Sequence, residues 1–282
     1  MGAIFRHELR NYFHSLTAYV FGAFLLAVVG LGSVLYNLQA AVSNFEFVLS
    51  FASIIFVVIV PILTMRTLAE ERRQRTDQLL YSLPITTTQV VLGKYFALLV
   101  VYLIPLAVVS LYPLLFSQFG EVYLPTSYGS LFAFFMMGAA LLAVGMFLSS
   151  LTDNQGFAAG IGIAAILLNY YSVSLAEYTS STAMGSLIAL YVIALLLGVV
   201  IHNLTRNENL AYGVTLVLIA ALSVAYFVNS SAFEGLLPDI MTKLSLFRQF
   251  NSFVNGAFDL TAIVYYVCLL YTSPSPRDRS VS

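Results

Sequence analysis

Long stretches in which almost every residue is apolar dominate the chain, separated by short polar interruptions. The runs lie at about 16–38, 47–66, 95–117, 128–151, 156–175, 186–202 and 210–229, and an eighth begins near 260. They are continuously apolar rather than alternating, so they predict helices and not membrane strands. A helix needs about 20 apolar residues to cross roughly 30 Å of hydrocarbon, and the pattern therefore predicts about eight spans. The runs at 156–175 and 186–202 are short and rich in Gly, Ser or Tyr. The fold class that follows is all-α: a polytopic transmembrane helix bundle, with a single transmembrane domain over 1–271.

Two segments carry a different period. In MGAIFRHELRNYFHS, Phe5, Leu9, Tyr12 and Phe13 share one face, with Arg6, Glu8, Arg10 and Asn11 away from it. This predicts an interfacial helix over 1–15. Between 230 and 258, Ile240, Leu244, Phe247, Phe250 and Val254 recur at three- and four-residue steps. Two readings stand for this stretch: an amphipathic helix lying on the outer surface, or a loop packed on the bundle.

Composition narrows the class. Hydrophobic residues make up 60% of the 282 and charged residues 9%, with a mean hydropathy of +0.91. A soluble domain carries about 25% charged residues, and so apolar a chain is neither soluble nor disordered. The net charge of −1 gives no basis for binding nucleic acid. Cys268 is the single cysteine, so neither an intrachain disulfide nor a cysteine metal site can form. No cleavable leader is evident, because the first apolar run exceeds leader length.

The position of the charges sets the expected orientation. Arg6, Arg10, Arg66, Arg72, Arg73, Arg75, Lys94, Arg206, Arg277 and Arg279 fall on one side of an eight-span topology, ten of the 12 Lys and Arg, with Lys243 and Arg248 on the other. The bias toward basic residues on the inner face places both termini in the cytoplasm. The opposite loops are short or acidic, with Glu46, Glu121 and Glu177.

The densest charge lies in RTLAEERRQRTDQLLYSLPITTTQVVLGK, from Arg66 to Lys94. Glu70 and Glu71 precede Arg73 and Arg75 at helical spacing. Pro84 ends that helix at or before Leu83. Thr86, Thr87 and Thr88 offer caps for a second helix entering the next span through Gly93 and Lys94. The residues alone fit equally a rigid protrusion that docks on a soluble partner and a solvated loop bearing orienting charges.

This segment resembles the cytoplasmic loop of type-2 ABC exporter permeases, at Glu70, Glu71, Arg72, Thr76, Leu80, Ser82, Pro84, Gly93 and Lys94. SSLTDNQGFAAG, Ser149 to Gly160, resembles the turn between that family's fourth and fifth spans. FRHELRNYFHSLTAYVF and LSLFRQFNSFVNGAFDLTAIVYY resemble the two ends of its gliding-motility-associated subgroup. The resemblance implies a six-span core plus two additional spans, the sixth and seventh. It implies a transport subunit of the bacterial inner membrane that is not itself an enzyme. ATP and Mg would sit on a separate cytoplasmic ABC ATPase, and a second permease would complete the complex in the lipid bilayer. The coupling contact falls on the residues above together with Arg73. In agreement, the chain contains no nucleotide-binding loop: Gly93-Lys94 is its only Gly-Lys pair, Tyr95 follows it, and Thr88 stands where the first glycine of such a loop belongs.

Two rival functions call for chemistry of a different kind. A gradient-driven transporter commonly carries a charged group within its spans, and every Asp, Glu, Lys and Arg falls outside the expected interiors. An intramembrane enzyme lacks its motifs: there is no H-E-x-x-H or G-x-S-x-G, and the three histidines are His7, His14 and His202. Gly156 and Gly160 form a G-x-x-x-G suited to close helix contact, within the chain or between copies. At the end of the chain, Leu260–Tyr271 covers only roughly 18 Å, and TSPSPRDRSVS follows. LLYTSPSPRD resembles a spurious ending found on unrelated reading frames, so residues 272–282 are expected to be a non-native tail, with the native sequence lost from about Cys268.

Overall fold

The computed structural model describes residues 2–67, 69, 87–152, 154–178, 182–205 and 208–272. Among these, every regular element is helical. In chain order they are α1 (Gly2–His14), α2 (Thr17–Ser33), α3 (Glu46–Ser53), α4 (Phe56–Thr64), α5 (Thr87–Val109), α6 (Leu111–Phe116), α7 (Leu124–Ser149), α8 (Gln155–Tyr178), α9 (Ala183–Thr205), α10 (Glu208–Val228), α11 (Leu236–Lys243), α12 (Leu246–Val254) and α13 (Leu260–Thr272).

Four helical stretches are long and apolar enough to cross a membrane: Thr17–Gln39, Thr88–Phe116, Leu124–Ser149 and Gln155–Tyr178. The number rises to six if each of two bent pairs is one span. These pairs are Glu46–Ser53 with Phe56–Thr64, bent by 57°, and Tyr212–Val228 with Ser230–Lys243, bent by 118°. The described residues therefore support four to six spans where the hydropathy pattern suggests eight. Ala183–Val199 and Leu260–Leu270 are apolar helices below spanning length.

The irregularities have local causes. Span one continues past α2 as a π-helical turn over Val34–Gln39. It closes at Ala41, whose φ of 53° is a left-handed conformation uncommon outside glycine. Asn37 Nδ2 steadies this turn by donating to the Val42 carbonyl at 2.7 Å. The break between α3 and α4 is built from three-residue hydrogen bonds, Ile55 N–H to Ala52 and Val57 N–H to Ile54. Pro61 follows within α4; it donates no N–H and crowds the carbonyl four residues earlier. Pro125 opens α7, where a missing N–H costs nothing.

The chain divides into two compact units, Met1–Tyr170 with Leu246–Ser282, and Tyr171–Ser245. In the first, the pairings fix the direction of each span. Phe21 packs on Tyr102 and Gly30 approaches Tyr112, so α2 runs parallel to α5 and α6. Phe56 packs on Phe134 and Thr64 on Gly145, so α4 runs parallel to α7. Tyr95 bonds to Ala139 and Tyr102 to Phe134, so α5 and α7 are antiparallel. One end of this unit therefore gathers α1, the end of α4, the start of α5 and the end of α7.

Apolar burial does not drive helix association in lipid; close approach of small residues does. At Gly138 an added Cβ would lie 2.5 Å from the Tyr102 ring. Tyr102 is fully buried, donates to the Phe134 carbonyl at 2.8 Å and stacks on Phe135. Gly145 seats Thr64, and Gly162 of α8 seats the ring of Pro61.

The segment at 230–258 is not one amphipathic helix on a surface. It forms a short 3-10 turn, α11 and α12, and only α12 belongs to the first unit. Leu246, Phe247, Phe250 and Phe253 of α12 are buried, with Phe250 against Phe134 of α7. Phe134 lies roughly 15 Å along α7 from its start, so α12 dips well into the bundle. Main-chain anchors hold it there: Asn169 Oδ1 accepts from the Leu246 N–H at 3.0 Å, Tyr266 donates to the Leu246 carbonyl at 2.7 Å, and Ser130 donates to the Phe253 carbonyl at 3.1 Å. Ile240 falls in α11, and Leu244 is exposed.

In the second unit, α9 and α10 form an antiparallel hairpin. Tyr191 and Ser223 share a 2.7 Å hydrogen bond, and Gly198 receives Thr215. The outward faces are aliphatic, with Leu195, Leu196, Leu216 and Val217 exposed. These helices hold the sixth and seventh apolar runs.

Candidate functional site

The structure is most informative at the two feet of the 66–94 segment. The first foot is the end of α4, where the last carbonyls of a helix have no partner within it. Thr67 Oγ1 returns to the Thr64 carbonyl at 2.6 Å. Ser149, at the end of α7, donates to the Met65 carbonyl at 3.2 Å and accepts from the Ala69 N–H at 3.3 Å. The second foot is the start of α5. There Lys94 is 2% exposed, and its Nζ donates to the Thr67 carbonyl at 3.0 Å and to Glu8 Oε1 of α1 at 2.9 Å.

Three stretches distant in sequence thus meet on one ammonium. A buried ion pair compensates its desolvation only when the remaining hydrogen-bonding capacity is also used, and the Thr67 carbonyl supplies such a partner. The arrangement closes the base of the charged segment and ties it to α1.

Glu8 corrects the expected pattern of α1. Phe5, Leu9, Tyr12 and Phe13 share a face that packs toward the core, but Glu8 turns to Lys94 instead of facing away. The buried ammonium is the reason: Lys94 Nζ donates to Glu8 Oε1 at 2.9 Å. Glu46 is a second correction. It belongs to the first turn of α3 rather than to a loop, and it is 2% exposed. Its Oε1 accepts from Ser127 Oγ at 3.2 Å, and Oε2 has no hydrogen-bond partner.

Of the other residues singled out in the sequence, Glu70, Glu71, Arg72, Arg73, Thr76, Leu80, Ser82 and Pro84 lie outside the described residues. Gly93 is buried one position before Lys94. Gly156 and Gly160 are both exposed near the start of α8, and among the described residues no neighbouring helix reaches the space over either. Asn154 caps that helix through Oδ1, accepting from Gly156 N–H at 3.0 Å. Among the described residues no group of three or more His, Cys, Asp or Glu side chains could hold a metal.

Hydropathy could not have found Glu8, Thr67 or Ser149, which are joined to their partners across 27 to 86 residues. The available signal was Lys94 itself, a lone lysine in VVLGKYFALL, which needs a partner if that helix packs.

No curated protein and no solved structure matches the chain. A family model described as ABC-2 family transporter protein matches residues 29–176, from within α2 to near the end of α8. The match covers just over half of the chain and includes both feet of the charged segment, and it shows that the chain belongs to the ABC-2 family of membrane transporters.

Proposed function

We propose that the chain is the permease subunit of an ATP-driven exporter, and that residues 66–94 couple it to a separate cytoplasmic ABC ATPase. The observation that carries this reading is the closed base of the segment: Lys94 joins Thr67 and Glu8 within 3.0 Å. A force applied to a loop with pinned feet reaches α4, α5 and α1 together rather than being lost in fraying. In this reading Glu70, Glu71, Arg72, Arg73, Thr76, Leu80, Ser82 and Pro84 contact the ATPase, and Gly93 and Lys94 transmit its movement. ATPase closure would then switch the bundle between two arrangements.

Both termini lie in the cytoplasm of a bacterial inner-membrane protein, by the distribution of basic residues. A second permease completes the complex, and the uncovered Gly156 and Gly160 suit close contact with it. The resemblance of the two end segments quoted above supports kinship with the gliding-motility-associated permeases. Family membership favours this reading over a gradient-driven transporter.

The test is co-expression with a candidate ABC ATPase drawn from the gene's neighbourhood. Altering Glu71, Arg72 or Pro84 should abolish co-purification while the permease stays monodisperse. Lys94→Met should keep the association but lower the ATP hydrolysis of the reconstituted complex. Full association after all three segment changes would overturn the coupling role.

A further inference from the structure

The corner between α1 and α2 faces the end of α4 across a groove of about 330 Å³. Its walls are Val20 and Phe21 from α2 and Ile59, Ile62 and Leu63 from α4, and its mouth carries Thr17 and Arg66. Val20 and Ile62 are 63% and 43% exposed, so the groove opens sideways from the spans. Arg66 is exposed, and no described residue bonds to it. Arg6 and Arg10 on α1 likewise have no carboxylate partner among the described residues, while Glu8, on the same helix, is occupied by Lys94. Among the described residues, the charges left uncompensated here, Arg6, Arg10 and Arg66, are thus cationic, around an apolar slot that begins at the span ends and runs into them.

We propose that the groove binds one anionic phospholipid from the leaflet on the α1 side, with its phosphate on the Arg66 guanidinium and an acyl chain between α2 and α4. Charge complementarity selects this occupant. A guanidinium grips a phosphate through paired N–H donors, basic pockets between membrane helices take acidic headgroups, and the aliphatic walls match a chain but not a polar ligand. The lipid would bridge the α1–α2 corner and the first residue of the charged segment. The inference stands on the groove and not on the exporter reading.

The chain contains no tryptophan, so Val20→Trp in the full-length protein provides a single reporter. In vesicles, brominated phosphatidylglycerol should quench it several-fold more effectively than brominated phosphatidylcholine at equal mole fraction. Arg66→Gln should remove that preference and Arg66→Lys should keep part of it. Phe147→Trp, on the exposed face of α7, should show no preference. Ile62→Trp repeats the measurement from the opposite wall, should the first reporter fill the slot. Equal quenching by both lipids at Val20→Trp and Ile62→Trp, a preference that survives Arg66→Gln, or the same preference at Phe147→Trp would each overturn the proposal. Absence of quenching by either lipid would do the same, because protein would then cover the groove.

Discussion

Lys94 and Thr67 stand 27 residues apart, yet the ammonium of one lies 3.0 Å from the carbonyl of the other. The bond joins the exit of α4 to the entry of α5 at the level where the charged segment leaves the bundle. Glu8 adds the N-terminal helix to the same point at 2.9 Å. A helix that packs along the bundle only through Phe5, Leu9, Tyr12 and Phe13 could slide; one that also carries a buried ion pair has a fixed register.

Lys94→Met should leave Glu8 and the Thr67 carbonyl without their shared partner. The expected loss is about 1–3 kcal/mol, the cost of an unsatisfied buried group. Glu8→Gln retains an oxygen acceptor and should lose less. The double variant Glu8→Gln/Lys94→Met should fall short of the sum, because the two act on one contact. Thermal midpoints from detergent size-exclusion profiles measure all three; strict additivity would show that the pair contributes nothing as a pair.

Gly138→Ala should destabilise by about 1–3 kcal/mol through overpacking, because its Cβ would fall 2.5 Å from the buried Tyr102 ring. Combining it with Tyr102→Leu should recover part of the loss by making room. A Gly138→Ala protein with an unchanged midpoint would contradict this packing.

Tyr266→Phe removes the donor to the Leu246 carbonyl, and Asn169→Ala removes the acceptor for its N–H. Each should cost about 1 kcal/mol. Both should raise amide exchange over 246–254 while α9 and α10, in the other unit, keep their rates. Uniform acceleration across the chain would indicate global destabilisation instead.

Glu46 differs from Lys94 in being only half satisfied, with one carboxylate oxygen on Ser127 and the other unpartnered. Replacing a buried, poorly compensated polar group by an apolar one of similar volume is often neutral or stabilising. Glu46→Met should therefore give a thermal midpoint at or above that of the unaltered protein. A clear fall would show that the carboxylate is better compensated than its one bond to Ser127 suggests.

Much of the fold was legible as uninterrupted hydropathy. The runs at 16–38, 128–151 and 156–175 correspond to Thr17–Gln39, Leu124–Ser149 and Gln155–Tyr178 within a few residues. The run at 95–117 begins about two turns too late, because Lys94 interrupts the apolar pattern although α5 starts at Thr87. The number of spans was less legible. Hydropathy cannot show that the run at 47–66 bends between Ser53 and Phe56, or that the helix ending at Val228 turns by 118° into the next. Recognition of the family rested on local motifs, whereas the clamp at Lys94 depends on contacts between distant residues that no single stretch displays. The i, i+3, i+4 stripe at 240–254 was real only from Leu246 onward, where the anchors on Asn169 and Tyr266 begin a new helix.

Because α12 is gripped through peptide groups at both ends, that part of its fastening does not depend on which side chains face outward. Asn251, exposed on that helix, is thus a position where a spin label or photocrosslinker can be introduced without loosening the helix it reports on, giving a direct gauge of whether this dipping helix shifts during turnover.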